Sequence, residues 1–232
     1  MKLFHLKTRR TLLLILCSVL MLTGCLTPRV ADKWINKKYE GAIPKKQRNS
    51  DYITVKMPAL SEVNSDILSR SEKKHMKMIP ALFYWKWDYG TISTLNQNVP
   101  ASYFNSTLIT YANTKRLRQK LNGQTIEFTI NKLPSVFILT DKGWMVYMVL
   151  FYFGKESIFV EPVKEDVTVS YRILKDGTET KNGTITLTDR NQAQYKKMFR
   201  SVRKTFWNYL DEYNNNEQAM GKELVDRLIM EL

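Results

Sequence analysis

The sequence predicts an α+β fold, a two-layer sandwich of a mainly antiparallel sheet with helices packed on one face. Three observations predict it. Strand-like runs follow one another through tight turns, which calls for antiparallel pairing. Helical periodicity is confined to two regions set apart from those runs, which is the α+β arrangement rather than alternating α/β. Finally, 44% of the 232 residues are hydrophobic, with only 9 Gly and 7 Pro. That is enough apolar material for a core and too little Gly and Pro for a collagen-like or low-complexity chain.

The elements follow in order. Residues 52–57 alternate as a strand does, with Ile53, Val55 and Met57 on one face, and Pro58 ends the run. Residues 61–78 are polar and read as a helix or a loop. After Pro80, residues 81–89 form an aromatic-rich strand, Leu82, Tyr84, Lys86 and Asp88 opposing Phe83, Trp85, Trp87 and Tyr89. Pro100 opens a helix over 101–121, where Phe104, Leu108, Tyr111, Ala112, Leu117 and Leu121 share a face. Lys115, Arg116, Arg118 and Lys120 load its last turns, favourably for the helix dipole. Asn122-Gly123 stops it.

A strand-rich block comes next. Ile126, Phe128 and Ile130 alternate with polar neighbours, and 135–140 is a short apolar strand. Asp141-Lys142-Gly143 reads as a hairpin turn. Residues 144–153 carry no charge and read as a central strand buried on both faces. Val167, Val169, Tyr171 and Ile173 alternate again, Asp176-Gly177 turns the chain, and 184–188 returns. The C-terminal region is helical. Tyr195, Phe199, Val202, Phe206, Tyr209 and Tyr213 step by fours and threes, which predicts a helix over 190–213. Asn214-Asn215-Asn216 breaks it, and Met220, Leu224, Leu228 and Leu232 mark a second. The helices over 101–121 and 190–213 are expected to share one face of one sheet.

The N-terminus reads differently from the rest. Lys2, Lys7, Arg9 and Arg10 precede an apolar run over 12–22 that is short for a membrane span and suits a secretory signal. Leu22-Thr23-Gly24-Cys25 follows. This resembles the lipobox of bacterial lipoproteins, and the resemblance covers only the first 25 residues or so. It implies cleavage before Cys25, acylation of that cysteine, and a position outside the cytoplasm. Leu26, where inner-membrane lipoproteins usually carry Asp, points by the same resemblance to the outer membrane of a host that has one. Removing 24 residues with four basic groups and no acid leaves 208 residues at a net charge of +10. The mature chain then has no free thiol and relies on its core rather than disulfides. Residues 25–51 read as a lipidated basic tether, either solvated or lying on anionic headgroups. Residues 52–232 read as one domain.

Residues suited to catalysis are few. His75 is the one mature histidine, set among lysines with no local carboxylate to orient it. It cannot seed a zinc site, which takes three or four ligands. The adjacent acids Glu165-Asp166 and Asp211-Glu212 point apart on a strand or helix. No catalytic residue, metal or cofactor is expected. The basic residues suggest more. Lys196, Arg200, Arg203 and Lys204, together with Lys115 and Arg116, form a candidate anion-binding surface. Export excludes nucleic acid and leaves anionic lipid or polysaccharide. The expectation is a lipid-anchored cell-envelope protein, a non-enzymatic accessory or interaction subunit in envelope assembly, transport or maintenance, with an envelope protein as partner. Two alternatives stand beside it: a module binding an anionic glycolipid or wall polymer through basic helix faces, and a carboxylate-based hydrolase.

Overall fold

The structure is a computed structural model that describes residues 27–41, 50–57, 67–148 and 151–232. The lipobox, Cys25 and the signal segment lie outside the described residues, as do 42–49 of the tether.

Helix α1 (Pro28–Tyr39) is followed by β1 (Ile53–Lys56), β2 (Ser69–Pro80) and β3 (Tyr84–Leu95). Helices α2 (Asn98–Thr114) and α3 (Leu117–Lys120) lead to β4 (Thr125–Ile130), β5 (Val136–Met148) and β6 (Phe151–Pro162). Then come β7 (Val167–Lys175), β8 (Thr178–Leu187), β9 (Gln194–Tyr195) and the long helix α4 (Val202–Glu231). The α+β class and the mainly antiparallel pairing are as expected. The strands, however, form two sheets: four strands in the order β1-β4-β7-β8 and five in the order β2-β3-β5-β6-β9. Among the described residues, only β1 with β4 is parallel.

Each sheet has its own core. Ile126 and Phe128 of β4 and Val169 and Tyr171 of β7 pack under α2, through Phe104 and Leu108, and under the second half of α4, through Met220, Leu224 and Leu228. Phe137 and Leu139 of β5 and Val160 of β6 pack under the first half of α4, through Phe206, Tyr209 and Tyr213, and under α1. At about 1.5 Å per residue, the 30 residues of α4 run about 45 Å and join both cores.

Several expectations need correction. The tether reading fails for Pro28–Tyr39. Ala31, Ile35 and Tyr39 repeat every four residues and are buried. Asp32 accepts hydrogen bonds from Ser69 Oγ and Ser71 Oγ, both at 2.7 Å, which docks α1 on β2. Within 61–78, residues 69–78 belong to strand β2, neither helix nor loop, because the residues it turns toward α1 are the polar Ser69 and Ser71 and the rest is largely exposed, which leaves no hydrophobic alternation to reveal it. The helix over 101–121 breaks at Arg116, which adopts a left-handed φ of 55°. The C-terminal helix is one rather than two. It begins at Ser201, whose hydroxyl accepts from the Lys204 amide, so 190–201 is not helical. It continues through 214–216 because two of the three amides find partners elsewhere: Asn214 accepts from Tyr39, and Asn216 donates to Asn191.

Asp176-Gly177 does turn the chain, both residues having positive φ. Asp141-Lys142-Gly143 does not. β5 runs straight through it, because Asp141 accepts from the Trp87 indole at 2.8 Å and that ring lies across Gly143. A Cβ there would sit 2.4 Å from the ring.

Two predictions follow from the packing. Where α2 crosses α4, a Cβ on Gly221 would stand 2.8 Å from the Phe104 carbonyl oxygen. Gly221→Val should therefore cost about 1–3 kcal/mol in chemical denaturation, by forcing the two helices apart. Glu217 of α4 is fully buried, and neither of its oxygens has a hydrogen-bond partner among the described residues. Burial, reinforced by Asp189, raises its carboxyl well above the usual range. A proton held in the folded state and released from the unfolded one makes stability fall as pH rises above the unfolded value. Between about pH 5 and 8, Glu217→Gln should flatten the pH dependence of the unfolding free energy. An unchanged slope would contradict the burial of a neutral acid.

Candidate functional site

The five-stranded sheet is longer than the core beneath it. From Asp141 to Met148, β5 extends eight residues, about 27 Å, beyond the buried Thr140. β2, β3 and β6 accompany it. Register sets the composition of this end row by row. Met148 faces Phe151, Tyr147 faces Tyr152, and Val146 lies between Phe153 and Tyr84. Met145 lies between Gly154 and Trp85, with Pro80 beyond. These four rows carry no charge. The next row holds Trp144, Lys155, Lys86 and Ile79, and two rows further in come Lys142, Ser157, Asp88 and Lys77.

The uncharged rows are exposed. Thirteen of the twenty exposed large hydrophobic side chains among the described residues lie on these four strands and the connection between β2 and β3, including Leu82 at 85% and Tyr152 at 72%. Single exposed apolar residues are normal, whereas a contiguous set marks an interaction surface. The expectation that 144–153 is a central strand buried on both faces is thus corrected. The run is the ends of β5 and β6, exposed except for the half-buried Met145 and Val146, with 149–150 outside the described residues.

The root of this end is held by polar pairs across strands. His75 Nε2 lies 2.7 Å from Asp88 Oδ1, so the orienting carboxylate that its sequence neighbours lack comes from β3. Lys142 Nζ sits 5.0 Å from the centre of the Phe159 ring. Burial raises the Asp141 carboxyl, and the Trp87 hydrogen bond opposes that rise.

A short loop adjoins the root. β9 pairs with β6 at Phe159 and Val160, and Lys196 bonds Glu156 at 3.0 Å. Met198 is 84% and Phe199 98% exposed, flanked by Lys196, Lys197 and Arg200. Phe199 has a φ of 63°, a conformation that a bulky residue rarely takes.

The six basic residues of the candidate anion-binding surface do not come together. Lys115 neighbours Asp226 near the C-terminal end of α4, and Arg116 is next to it in the chain. Arg203 and Lys204 stand in the first turn of α4, with Lys196 and Arg200 just before it. Lys204 and Asp226 are 22 residues apart on one helix, about 33 Å. The sequence grouped them by charge and could not see that α4 separates them.

The ends of the helices complete the site. Trp34 packs on Phe206, Lys38 pairs with Asp211 and Tyr39 with Asn214, so α1 and α4 run side by side in the same direction. Along α4, Phe206 meets Phe137 while Tyr213 bonds the Pro134 carbonyl, so both helices run away from the apolar end. Their N-termini therefore point toward it. Neither carries an acid in its first turn, whereas Arg29, Arg203 and Lys204 stand there, against the helix dipole.

No family model, curated protein or solved structure matches the chain.

Phe199 offers a direct check on the loop. Because the ring makes little contact and the backbone is strained, Phe199→Gly should leave thermal stability unchanged or raise it by up to about 1 kcal/mol. A clear loss would show that the ring packs against the protein.

Proposed function

We propose that the chain is a lipid-anchored protein of the cell envelope, a non-enzymatic interaction subunit in envelope assembly, transport or maintenance, whose working surface is the apolar end of the five-stranded sheet. One observation carries the reading: the contiguous exposed apolar surface on β2, β3, β5 and β6, with lysines at its root. A surface of this kind is unfavourable in water and is retained where something covers it. The lipobox supports the anchor, since two acyl chains hold a protein stably to a bilayer where one does so marginally.

The position of the anchor supports the surface. Cys25 precedes Pro28 by three residues, so covalent geometry keeps it within about 10 Å of the start of α1. That start points toward the apolar end.

The test has two parts. Wild type should show a mass gain of two or three acyl chains and fractionate with membranes, while Cys25→Ser does neither. A photocrosslinker at Phe83 should capture covalent adducts in cells, and one at Met230, at the far end of α4, should not. Equal capture at the two positions, or an unmodified Cys25 in the soluble fraction, would overturn the proposal.

A further inference from the structure

We infer that the occupant of the apolar end is a bilayer with anionic headgroups, into whose interfacial layer the two hairpin ends dip beside the chain's own lipid anchor. The inference rests on the preceding reading of the surface and names what covers it.

Dimensions come first. The four uncharged rows, from Met148 to Met145, measure about 10 Å along the strands. An interfacial element buries its apolar part about 5–10 Å into the boundary between headgroups and acyl chains. The first lysines, Lys86 and Lys155, stand one row higher, and Lys77 and Lys142 two rows beyond them. That places the cations at headgroup level when the uncharged rows are immersed, and their long stems let them follow the surface.

The residue types agree with this depth. Trp85, Trp144, Tyr147 and Tyr152 are exposed, and Trp and Tyr favour the wet apolar boundary because each has a polar atom on an apolar ring. Open edges limit the depth. Among the described residues, β2 pairs only with β3, and beyond Phe159 toward the tip β6 pairs only with β5. Unpaired backbone groups are too costly for the hydrocarbon centre, so a single copy sits in the hydrated interface and does not span. The loop carrying Met198 and Phe199 leaves β6 near the root, where the Lys196 amide bonds the Ile158 carbonyl. Lys196 bonds Glu156, one row above Lys155, which sets this lysine beside the headgroup-level rows.

Charge decides between a bilayer and a second copy. A copy joined head to tail would bring the β6 edge beside β2, where Arg70, Lys73, Lys74 and Lys77 and a register shift between Lys73 and His75 guard the strand against pairing, while a two-fold copy would join β6 to β6 and is read out by the crosslinking arm of the test. Lys77, Lys86, Lys142 and Lys155 at the root, with Arg203, Lys204 and the positive ends of α1 and α4 behind them, favour an anionic surface, at about 1 kcal/mol per basic residue near it.

The test uses the lipidated protein reconstituted in vesicles, with an environment-sensitive fluorophore on Phe151→Cys or, in a second variant, Leu82→Cys. Met230→Cys is the control. Both test positions are exposed, so folding is not at stake. At 151 and 82 the emission should shift to the blue and lose about half or more of its intensity to lipids brominated on the acyl chains, with no change at 230. The shift should be larger in vesicles containing anionic lipid than in zwitterionic ones, and changing Lys77, Lys86, Lys142 and Lys155 to Gln should reduce that difference. A fluorophore at 151 that is shielded from water, unquenched by brominated lipid and crosslinkable to another copy would overturn the bilayer while sparing the interaction surface. A water-like fluorophore without crosslinks would overturn both.

Discussion

Helix α4 is the element on which the rest depends. Neither sheet is covered without it, since its first half closes one core and its second half the other. The close approach at Gly221 lets α2 share both cores, with Val99 in one and Phe104 and Leu108 in the other. Because one rigid rod serves both sheets, their relative setting is fixed by side-chain packing along about 45 Å. The break expected at 214–216 would have separated the two halves. Asn side chains lower helix stability mainly by competing for backbone groups, and here that competition is removed by Tyr39 and Asn191.

The same helix gives the molecule a polarity. Its N-terminus, that of α1 and the loop over 196–200 all lie toward the projecting end of the five-stranded sheet. The opposite end carries the salt bridges of Glu223 with Arg190 and Arg227 and the pairing of Asp226 with Lys115. Cations at the one end remain unneutralised by acids in the first turns, and two helix dipoles add to them. An exposed apolar sheet end with open edges is ordinarily an aggregation hazard. Lysines along β2 blunt that hazard at the root, and the tip lacks such protection.

Much of the fold was legible. Alternation marked β1, β4 and β7 because each turns one face to a core, and the positive φ of Asp176 and Gly177 matches a two-residue turn. The apolar face predicted for α2 is the one it buries. The failures share a cause. β2 lacks a buried face, so nothing in it alternates visibly. Asp141-Lys142-Gly143 has turn composition yet serves as the seat of Trp87, a partner 54 residues away. Residues 144–153 were assigned to the interior because an uncharged run signals burial, and periodicity cannot say what does the burying.

The sequence by itself determined the α+β class, the apolar stripes of α2 and α4, the +14 charge and the residues available for chemistry. These depend on local periodicity and composition, which each segment carries alone. Only the tertiary structure decided that there are two sheets, that α1 belongs to the fold, that the basic residues divide between the two ends of α4, and that the uncharged strands project beyond the core. Each of those depends on which distant segment supplies the partner: Ser69 and Ser71 for Asp32, Trp87 for Gly143, and for β5 and β6 none beyond the edge of the helices. Register and packing set such choices over long sequence separations, and no single window of the chain contains both partners.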